Sequence, residues 1–314
     1  MEVNVNIGKT ERRKHPKLND YKTTFKLFLK KKSAAVGFAI TVLYFLFAIL
    51  DYVDPRYLGV SSYSSLLNFS VTYSSSTPLF PSLNHGFWYL LGTTQLGTEK
   101  FALLPSMLAA LRFDIGYSVL IVAVGSGIGV FLGTFSASYG KYFDEAIMRV
   151  TDIFFSFPYL VLVFAFLFVF GASPVWVVIA LIVVWWPIYA RLSRSQALFL
   201  RSTKFVEAAY ASGSSKLRNI FSHVIPNVLS PVFVQFSLDL GSIVQIFAAL
   251  AFLQVGLGPH FDELGNIIYL GETYLGVGIW WPIVIPGVFL LIFTVSVNLM
   301  GDGLRDVLDP KLRR

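Results

Sequence analysis

The stretch IGYSVLIVAVGSGIGVFLGTFSA, residues 115–137, contains no charged side chain. An α-helix rises about 1.5 Å per residue, so roughly 20 apolar residues cross the ~30 Å hydrocarbon core of a bilayer. Backbone polar groups within lipid must be hydrogen-bonded inside the protein, and a helix meets this condition by itself. The stretch therefore predicts a transmembrane helix.

Comparable apolar runs occur at five other places in the chain. The six predicted spans lie near residues 34–50, 115–137, 153–170, 174–190, 232–255 and 280–300. The composition agrees, because 55% of the 314 residues are apolar and 14% are charged, whereas soluble domains have about 25% charged residues. We expect an all-α, polytopic membrane protein with six transmembrane helices.

The basic residues are distributed unevenly between the two sides of the predicted bundle. With a cytoplasmic amino terminus, all of the 25 Lys and Arg residues except Arg56, Lys100 and Arg112 fall in cytoplasmic segments, as the positive-inside rule requires. We therefore expect a multi-pass protein of the cell membrane with both termini in the cytoplasm. The net charge of +7 follows from this distribution and does not indicate a nucleic-acid-binding surface.

This topology divides the chain into segments. A basic cytoplasmic segment, 1–33, precedes the membrane domain, 34–314. Within that domain we expect an external loop, a cytoplasmic loop and a cytoplasmic tail, which occupy residues 51–114, 191–228 and 301–314.

The cytoplasmic loop contains the polar stretch EAAYASGSSKLRNIFSHVIPN, residues 207–227. Residues 204–212 favour a helix that ends at Gly213, since glycine adopts the left-handed C-terminal conformation without a Cβ penalty. The serine pair at 214–215 can cap a second helix, which we expect to end at Pro226. That helix has one apolar stripe: Leu217, Ile220, Phe221 and Val224. The pattern alone leaves open whether this segment rests on lipid headgroups or contacts a protein.

No sequence pattern indicates an active site. Gly8-Lys9-Thr10 resembles the end of a phosphate-binding loop, but Val3 stands where the first glycine is required. The four histidines lie in different segments without metal-ligand spacing, and the chain has no cysteine. We expect neither catalytic nor metal-binding residues.

Four stretches resemble one transporter family. Glu207-Ala208-Ala209, with Gly213 and Ile225-Pro226, resembles the EAA loop in the membrane subunits of binding-protein-dependent ABC importers. Together with the neighbouring residues 205–206 and 223–227, it looks most like the C-type subunit of the dipeptide and oligopeptide permease family. The stretches 91–97, 252–266 and 298–310 are similar to three further elements of that family, although Thr94 replaces its usual aspartate.

The resemblance implies a fold and a set of contacts. The fold is the transmembrane domain of type I ABC importers. The EAA loop of the family supplies a coupling helix that docks on a cytoplasmic ATPase subunit. The resemblance thus implies that role for five residues: Glu207, Ala208, Ala209, Tyr210 and Gly213.

The resemblance also implies partners. These are a second, B-type permease subunit, two cytoplasmic ATPase subunits and an extracytoplasmic solute-binding protein. ATP and Mg²⁺ would bind to the ATPases, while this chain would bind no cofactor and would not be an enzyme. Members of the family import peptides, oligosaccharides or nickel, so the substrate stays open among these classes, and we expect an oligopeptide or an oligosaccharide. The alternative function is an ion-coupled secondary transporter or channel, which needs no ATPase.

Two spans carry residues that suit packing or a membrane path. The second span has a small residue at every fourth position: Gly125, Gly129, Gly133 and Ala137. Such a ridge favours close helix packing, and a glycine-lined pathway is the alternative. On the fifth span, Gln235, Asp239 and Ser242 lie on one side. Because a carboxylate in lipid costs about 2.5–3.5 kcal/mol, Asp239 should face the bundle interior, either along the translocation path or in a hydrogen-bonded helix interface.

The carboxyl-terminal motif has charges on one helical face. Its members lie at i, i+3, i+4 and i+7: Asp302, Arg305, Asp306 and Asp309. Arg305 can bridge the neighbouring carboxylates, and its positive charge disfavours a metal site. Since this face belongs to the cytoplasmic tail, contact with the ATPases is a further hypothesis.

Overall fold

The computed structural model describes residues 25–53, 77–83, 90–96, 99–257 and 263–308. Nearly all of the described chain is helical, and the prediction of an all-α fold is confirmed. The elements in chain order are α1 (Lys32–Val53), β1 (Thr93–Leu96), β2 (Glu99–Ala102), α2 (Leu103–Tyr139), α3 (Lys141–Phe155), α4 (Tyr159–Phe170), α5 (Pro174–Arg201), α6 (Lys204–Ala211), α7 (Lys216–Asn219), a π-helical turn (Ile220–Val224), α8 (Ile225–Phe252), α9 (Leu264–Leu275) and α10 (Trp281–Leu308).

Within the described ranges, five helical segments are long and apolar enough to cross a membrane. These are α1, α2, α5, α10 and the continuous stretch from α7 through α8. Several extend well beyond the apolar runs seen in the sequence, since α2 begins at Leu103, α5 ends at Arg201 and α10 ends at Leu308. The residues of these three helix ends therefore lie on extensions of the spans.

The third predicted span, 153–170, is not one helix. The helix α3 ends at Phe155, α4 begins at Tyr159, and their axes differ by 92°. Pro158 explains the break, because it disfavours the helical conformation at Phe157 and has no N–H to donate. Only 12 residues form α4, about 18 Å of helix, so a sixth crossing exists only if α3 and α4 together form one bent span.

The most extensive helix–helix interface in the described chain joins α2 to α5. A Cβ atom at Gly129 would overlap the Tyr189 side chain, and one at Gly133 would overlap the Ala190 carbonyl. Gly125 has more room, since its Cβ would lie 3.6 Å from Trp185. The small-residue ridge thus packs α2 against the α5 backbone, most tightly at two of its four positions.

The remaining helices assemble around this pair. The helix α8 packs against α2 and α10, and α1 packs against α10, where the Tyr44 hydroxyl donates a hydrogen bond to the Phe289 carbonyl over 2.9 Å. The helix α9 lies between α8 and α10. Its Gly265 contacts the Ala248 carbonyl so closely that a Cβ atom would not fit.

The strands β1 and β2 form an antiparallel hairpin, with Thr93 opposite Ala102. The hairpin lies within the predicted external loop 51–114, and residues 103–114 of that range belong to α2. The Thr93 Oγ1 atom accepts a hydrogen bond of 2.7 Å from the Leu79 N–H. Residues 54–76 and 84–89 of the predicted loop lie outside the described residues, as do 1–24 of the amino-terminal segment.

Substitution of Gly133 by alanine should destabilise the fold, because the added methyl group overlaps the α5 backbone. Overpacking of this kind costs about 1–3 kcal/mol. Gly127 is the matched control on the same helix, since a Cβ atom there would meet nothing within 4 Å. Gly127→Ala should preserve or raise stability through its better helix propensity. Thermal unfolding of the two purified variants tests this, and equal midpoints would contradict the role of Gly133.

Candidate coupling surface and membrane path

The five residues assigned to the coupling role lie between α5 and α8. The chain leaves α5 at Arg201 and enters α6 at Lys204. The helix α6 ends at Ala211, and Gly213 then adopts the left-handed φ of 83° that favours glycine. The Ser215 side chain caps α7 by accepting a hydrogen bond from the Arg218 N–H over 3.4 Å. A helix, a glycine turn and a second helix are thus formed as the sequence predicts.

The outer face of α6 is open. Glu207, Ala208 and Tyr210 are exposed, Ala209 is partly exposed, and Val206 is buried against the bundle. Among the described residues the Glu207 carboxylate has neither an ion pair nor a hydrogen bond from a side chain. We call this face the coupling surface: Glu207, Ala208, Ala209, Tyr210 and Gly213. Its small residues permit close approach of another surface, and its charge is available to a partner.

Pro226 does not end the second helix, contrary to the sequence prediction. The helix α7 passes through the π-helical turn into α8, and the helical path is continuous from Lys216 to Phe252. In the π-helical turn the Ile225 N–H bonds to the Ile220 carbonyl, five residues back. Pro226 then occupies the first turn of α8, where a missing N–H is tolerated. The coupling surface is therefore joined directly to a membrane-spanning helix.

Two ion pairs join α3 to the extended end of α5, and the sequence did not reveal them. Arg194 binds both carboxylate oxygens of Asp144, at 2.5 and 2.6 Å. Arg191 binds Asp152 at 2.7 Å and lies over the Phe155 ring. The available signal was the amphipathic, charged stretch 141–155, but residue spacing cannot identify partners that are 39 and 50 positions apart.

The polar residues of the fifth span separate into two environments. Asp239 is only 5% exposed and accepts hydrogen bonds from Trp185 Nε1 of α5 at 3.0 Å and from Gln235 Nε2 at 2.8 Å. The Ser242 hydroxyl instead bonds to the Leu238 carbonyl of its own helix. Asp239 thus links α8 to α5, and Gln235 belongs with it while Ser242 does not.

A cavity of about 770 Å³ lies among α5, α8 and α10. Several polar side chains line it together with apolar ones: Gln196, Asn227, Ser230, Gln235 and Arg305. Asn227 and Ser230 are in the first turns of α8, so the cavity lies on the same side of the bundle as the coupling surface. Gln235 connects the cavity wall to the buried Asp239.

The carboxyl-terminal motif continues α10 rather than forming a separate tail. Asp306 pairs with Lys31 at 2.5 Å and not with Arg305, which lines the cavity. The residue that supplies the cation for Asp306 directly precedes α1, and the bridging of carboxylates along this face by Arg305 stays a prediction. Asp302 is exposed, and Asp309 lies outside the described residues.

Comparison with known proteins identifies the family. The sequence model of the binding-protein-dependent transport system inner membrane component matches residues 125–314. The chain is 37% identical to a probable D,D-dipeptide transport system permease protein of Escherichia coli, over 74% of this chain and 75% of that protein. It is 32% identical to a dipeptide transport system permease protein of Alkalihalophilus pseudofirmus, over 94% of this chain and 91% of that protein.

A third relative, a dipeptide transport system permease protein of Haemophilus influenzae, is 29% identical over 91% of this chain and 93% of its own length. The matched family region contains the coupling surface, α8 and α10. The chain therefore belongs to the family of binding-protein-dependent transport system inner membrane components and is the non-catalytic, multi-pass permease subunit of an ABC importer.

Proposed function

We propose that this chain and a second, homologous permease subunit form the membrane path of an ATP-driven peptide importer. Relatives named as dipeptide, D,D-dipeptide, di/tripeptide and glutathione permeases support peptides over oligosaccharides as the substrate class. An external solute-binding protein delivers the peptide. Two cytoplasmic ATPase subunits bind ATP and Mg²⁺, and this chain binds no cofactor.

The observation that carries the proposal is the exposed, unpaired coupling surface fixed between two membrane-spanning helices. Closure of the ATPases displaces this surface. Two residues join α5 to α6, and a short glycine turn joins α6 to the continuous helical path that includes α8. Because both connections are short, the displacement moves the two helices together as a rigid body. In this assignment the coupling surface and both termini are cytoplasmic, in agreement with the distribution of basic residues.

A secondary transporter or channel does not require a docking surface for ATPase subunits. Its coupling ion would bind within the membrane, so that mechanism assigns no role to an exposed helix held between two membrane-spanning helices. Membership of the binding-protein-dependent family also disfavours this alternative.

Charge reversal at Glu207 should uncouple ATP hydrolysis from import. In Glu207→Lys the partner's complementary group faces a like charge, and losing a charge pair of this kind costs about 2–5 kcal/mol. We expect peptide import in proteoliposomes to fall at least about tenfold, which corresponds to 1.4 kcal/mol, with association of the ATPases weakened in parallel.

Glu145→Lys provides the matched control. Glu145 is an exposed acid on α3, and its ion pair with Arg149 four residues later contributes only about 0.3–0.5 kcal/mol. Its reversal changes the surface charge by the same amount and should leave import near the wild-type rate. Wild-type import by Glu207→Lys, or equal loss in both variants, would refute the coupling role.

We further propose that the 770 Å³ cavity is the cytoplasmic part of the translocation path. Its polar groups suit the backbone of a peptide, whose amide and carbonyl groups need hydrogen-bond partners on leaving water. Gln235 of α8 and Arg305 of α10 both line the cavity, so a peptide that fills it would contact both helices.

The absence of cysteine permits a direct test of the cavity. Ser230→Cys should react with a charged thiol reagent added from the cytoplasmic side, and the modified transporter should lose import because the cavity is blocked. The control is Ser237→Cys, two turns along α8, where the native side chain is 4% exposed and faces Gly301 of α10. It should stay unmodified. Full import after complete modification of Ser230→Cys would exclude this cavity from the path.

A further inference from the structure

Two carboxyl groups are completely buried at the end of the bundle that is remote from the coupling surface. Asp114 of α2 and Glu263, which directly precedes α9, are each 0% exposed. Near the coupling surface α2 contacts the π-helical turn through Phe135 and Phe221. Asp114 lies 21 residues earlier in the same helix, which corresponds to about 30 Å.

The local hydrogen bonds fix the positions of both groups. The Glu263 Oε2 atom accepts the Asn266 N–H at 2.9 Å and caps the first turn of α9. The Asp114 Oδ2 atom accepts the Leu264 N–H at 3.4 Å. The second oxygen of each side chain, Asp114 Oδ1 and Glu263 Oε1, has no hydrogen-bond partner among the described residues.

Asp114 accepts the N–H of Leu264, the residue that directly follows Glu263, so the two buried carboxyl groups are neighbours and act on each other electrostatically. Ionised carboxylates only accept hydrogen bonds, so two of them in contact repel and cannot bond. A single proton changes this, because it allows one group to donate to the other. Burial raises the pKa of Glu263 to about 7, so a proton is available to this contact over much of the acidic and neutral range.

Among the residues that the structure describes, no cation is recorded as acting on either carboxyl group. Within the described part of the chain, the charges that act on the two groups come from each other. Arg112, on the same helix as Asp114, lies over the Phe113 ring. On α9, Glu272 is exposed and the other titratable groups are Tyr269 and Tyr274. On α8, Asp239 is bonded to Trp185.

The other titratable groups nearby in sequence are Glu99 and Lys100 of β2, and His260 and Asp262, which precede Glu263 outside the described residues. The described contacts therefore leave the carboxyl pair to be stabilised by protonation.

We propose that Asp114 and Glu263 form a buried proton-binding site in which one shared proton fastens the start of α9 to α2. The start of α9 is tightly placed, since Gly265 contacts the Ala248 backbone and Gln254 Nε2 donates to Asn266 Oδ1 at 2.9 Å. Loss of the proton leaves two like charges in a dry site and loosens this end of the bundle. The site makes the packing of α9 sensitive to pH.

The direction of the pH effect follows from proton linkage. An exposed glutamate titrates near pH 4.3, whereas Glu263 in the fold titrates near 7. Between these values the folded protein binds more protons than the unfolded chain, so its stability decreases as pH rises. The contribution of the site is complete below about pH 4.3 and lost above about 7.

The first test compares unfolding midpoints of the full chain, purified in its native assembly, across this pH window. In the wild type we expect the unfolding midpoint to decrease as pH rises. In Asp114→Asn this decrease should be much smaller, because the amide donates to the Glu263 carboxylate at every pH. Glu272→Gln, an exposed acid on the same helix as the site, should retain the wild-type decrease. If the unfolding midpoint of Asp114→Asn decreased with pH as steeply as that of the wild type, the proposal would be overturned.

A second test does not depend on the stability of that variant. Infrared difference spectra of the wild-type assembly, recorded after a jump from acidic to alkaline pH, should contain a protonated-carboxylic-acid band that disappears on the alkaline side. Subtraction of the corresponding spectrum of Glu263→Gln should assign the band to the pair. A wild-type spectrum without this band, or an unchanged band in Glu263→Gln, would overturn the proposal.

Discussion

The close approach of α2 and α5 is the contact on which the rest of the structure depends. In lipid, apolar helices gain nothing by leaving hydrocarbon for each other, so association relies on packing and hydrogen bonds. Gly129 and Gly133 bring α2 against the α5 backbone. Held in this way, α5 can fix its other neighbours: Trp185 bonds to Asp239 of α8, and Arg194 bonds to Asp144 of α3.

These contacts make the coupling surface part of the bundle rather than a loop attached to it. At one end it follows the extended α5. At the other end it enters the continuous helical path that includes α8. The Asp239 to Trp185 hydrogen bond joins the same two helices within the membrane. A force applied at Glu207 therefore reaches the cavity wall through α5 and α8, which are joined both by the segment that carries the coupling surface and by this hydrogen bond. Such an arrangement suits the transmission of movement in an importer subunit.

The sequence predicted features that depend on nearby residues. Five of the six apolar runs fall on long helices that could cross a membrane, while the run 153–170 is broken. The glycine at 213 and the serine at 215 marked the end of α6 and the start of α7. The sequence did not predict features that depend on contacts between distant residues or on the backbone conformation of a neighbouring segment. Pro158 lies at a break between two helices, whereas Pro226 lies in the first turn of α8, where the preceding π-helical turn continues the helical path. The contact of Asp114 with Glu263 joins residues 149 positions apart, and no local pattern encodes it.

The central claim is that α5 and the continuous helical path that includes α8 move as one body when the coupling surface is displaced. Spin labels on Ser195→Cys in α5 and Ser222→Cys in the π-helical turn test it most directly, since both native side chains are exposed and the chain has no other cysteine. The distance between the labels should be measured in an assembly with intact ATP-driven import, without nucleotide and with ATP trapped. The account predicts the same narrow distance distribution in both states, whereas a shifted or broadened distribution with ATP would contradict it.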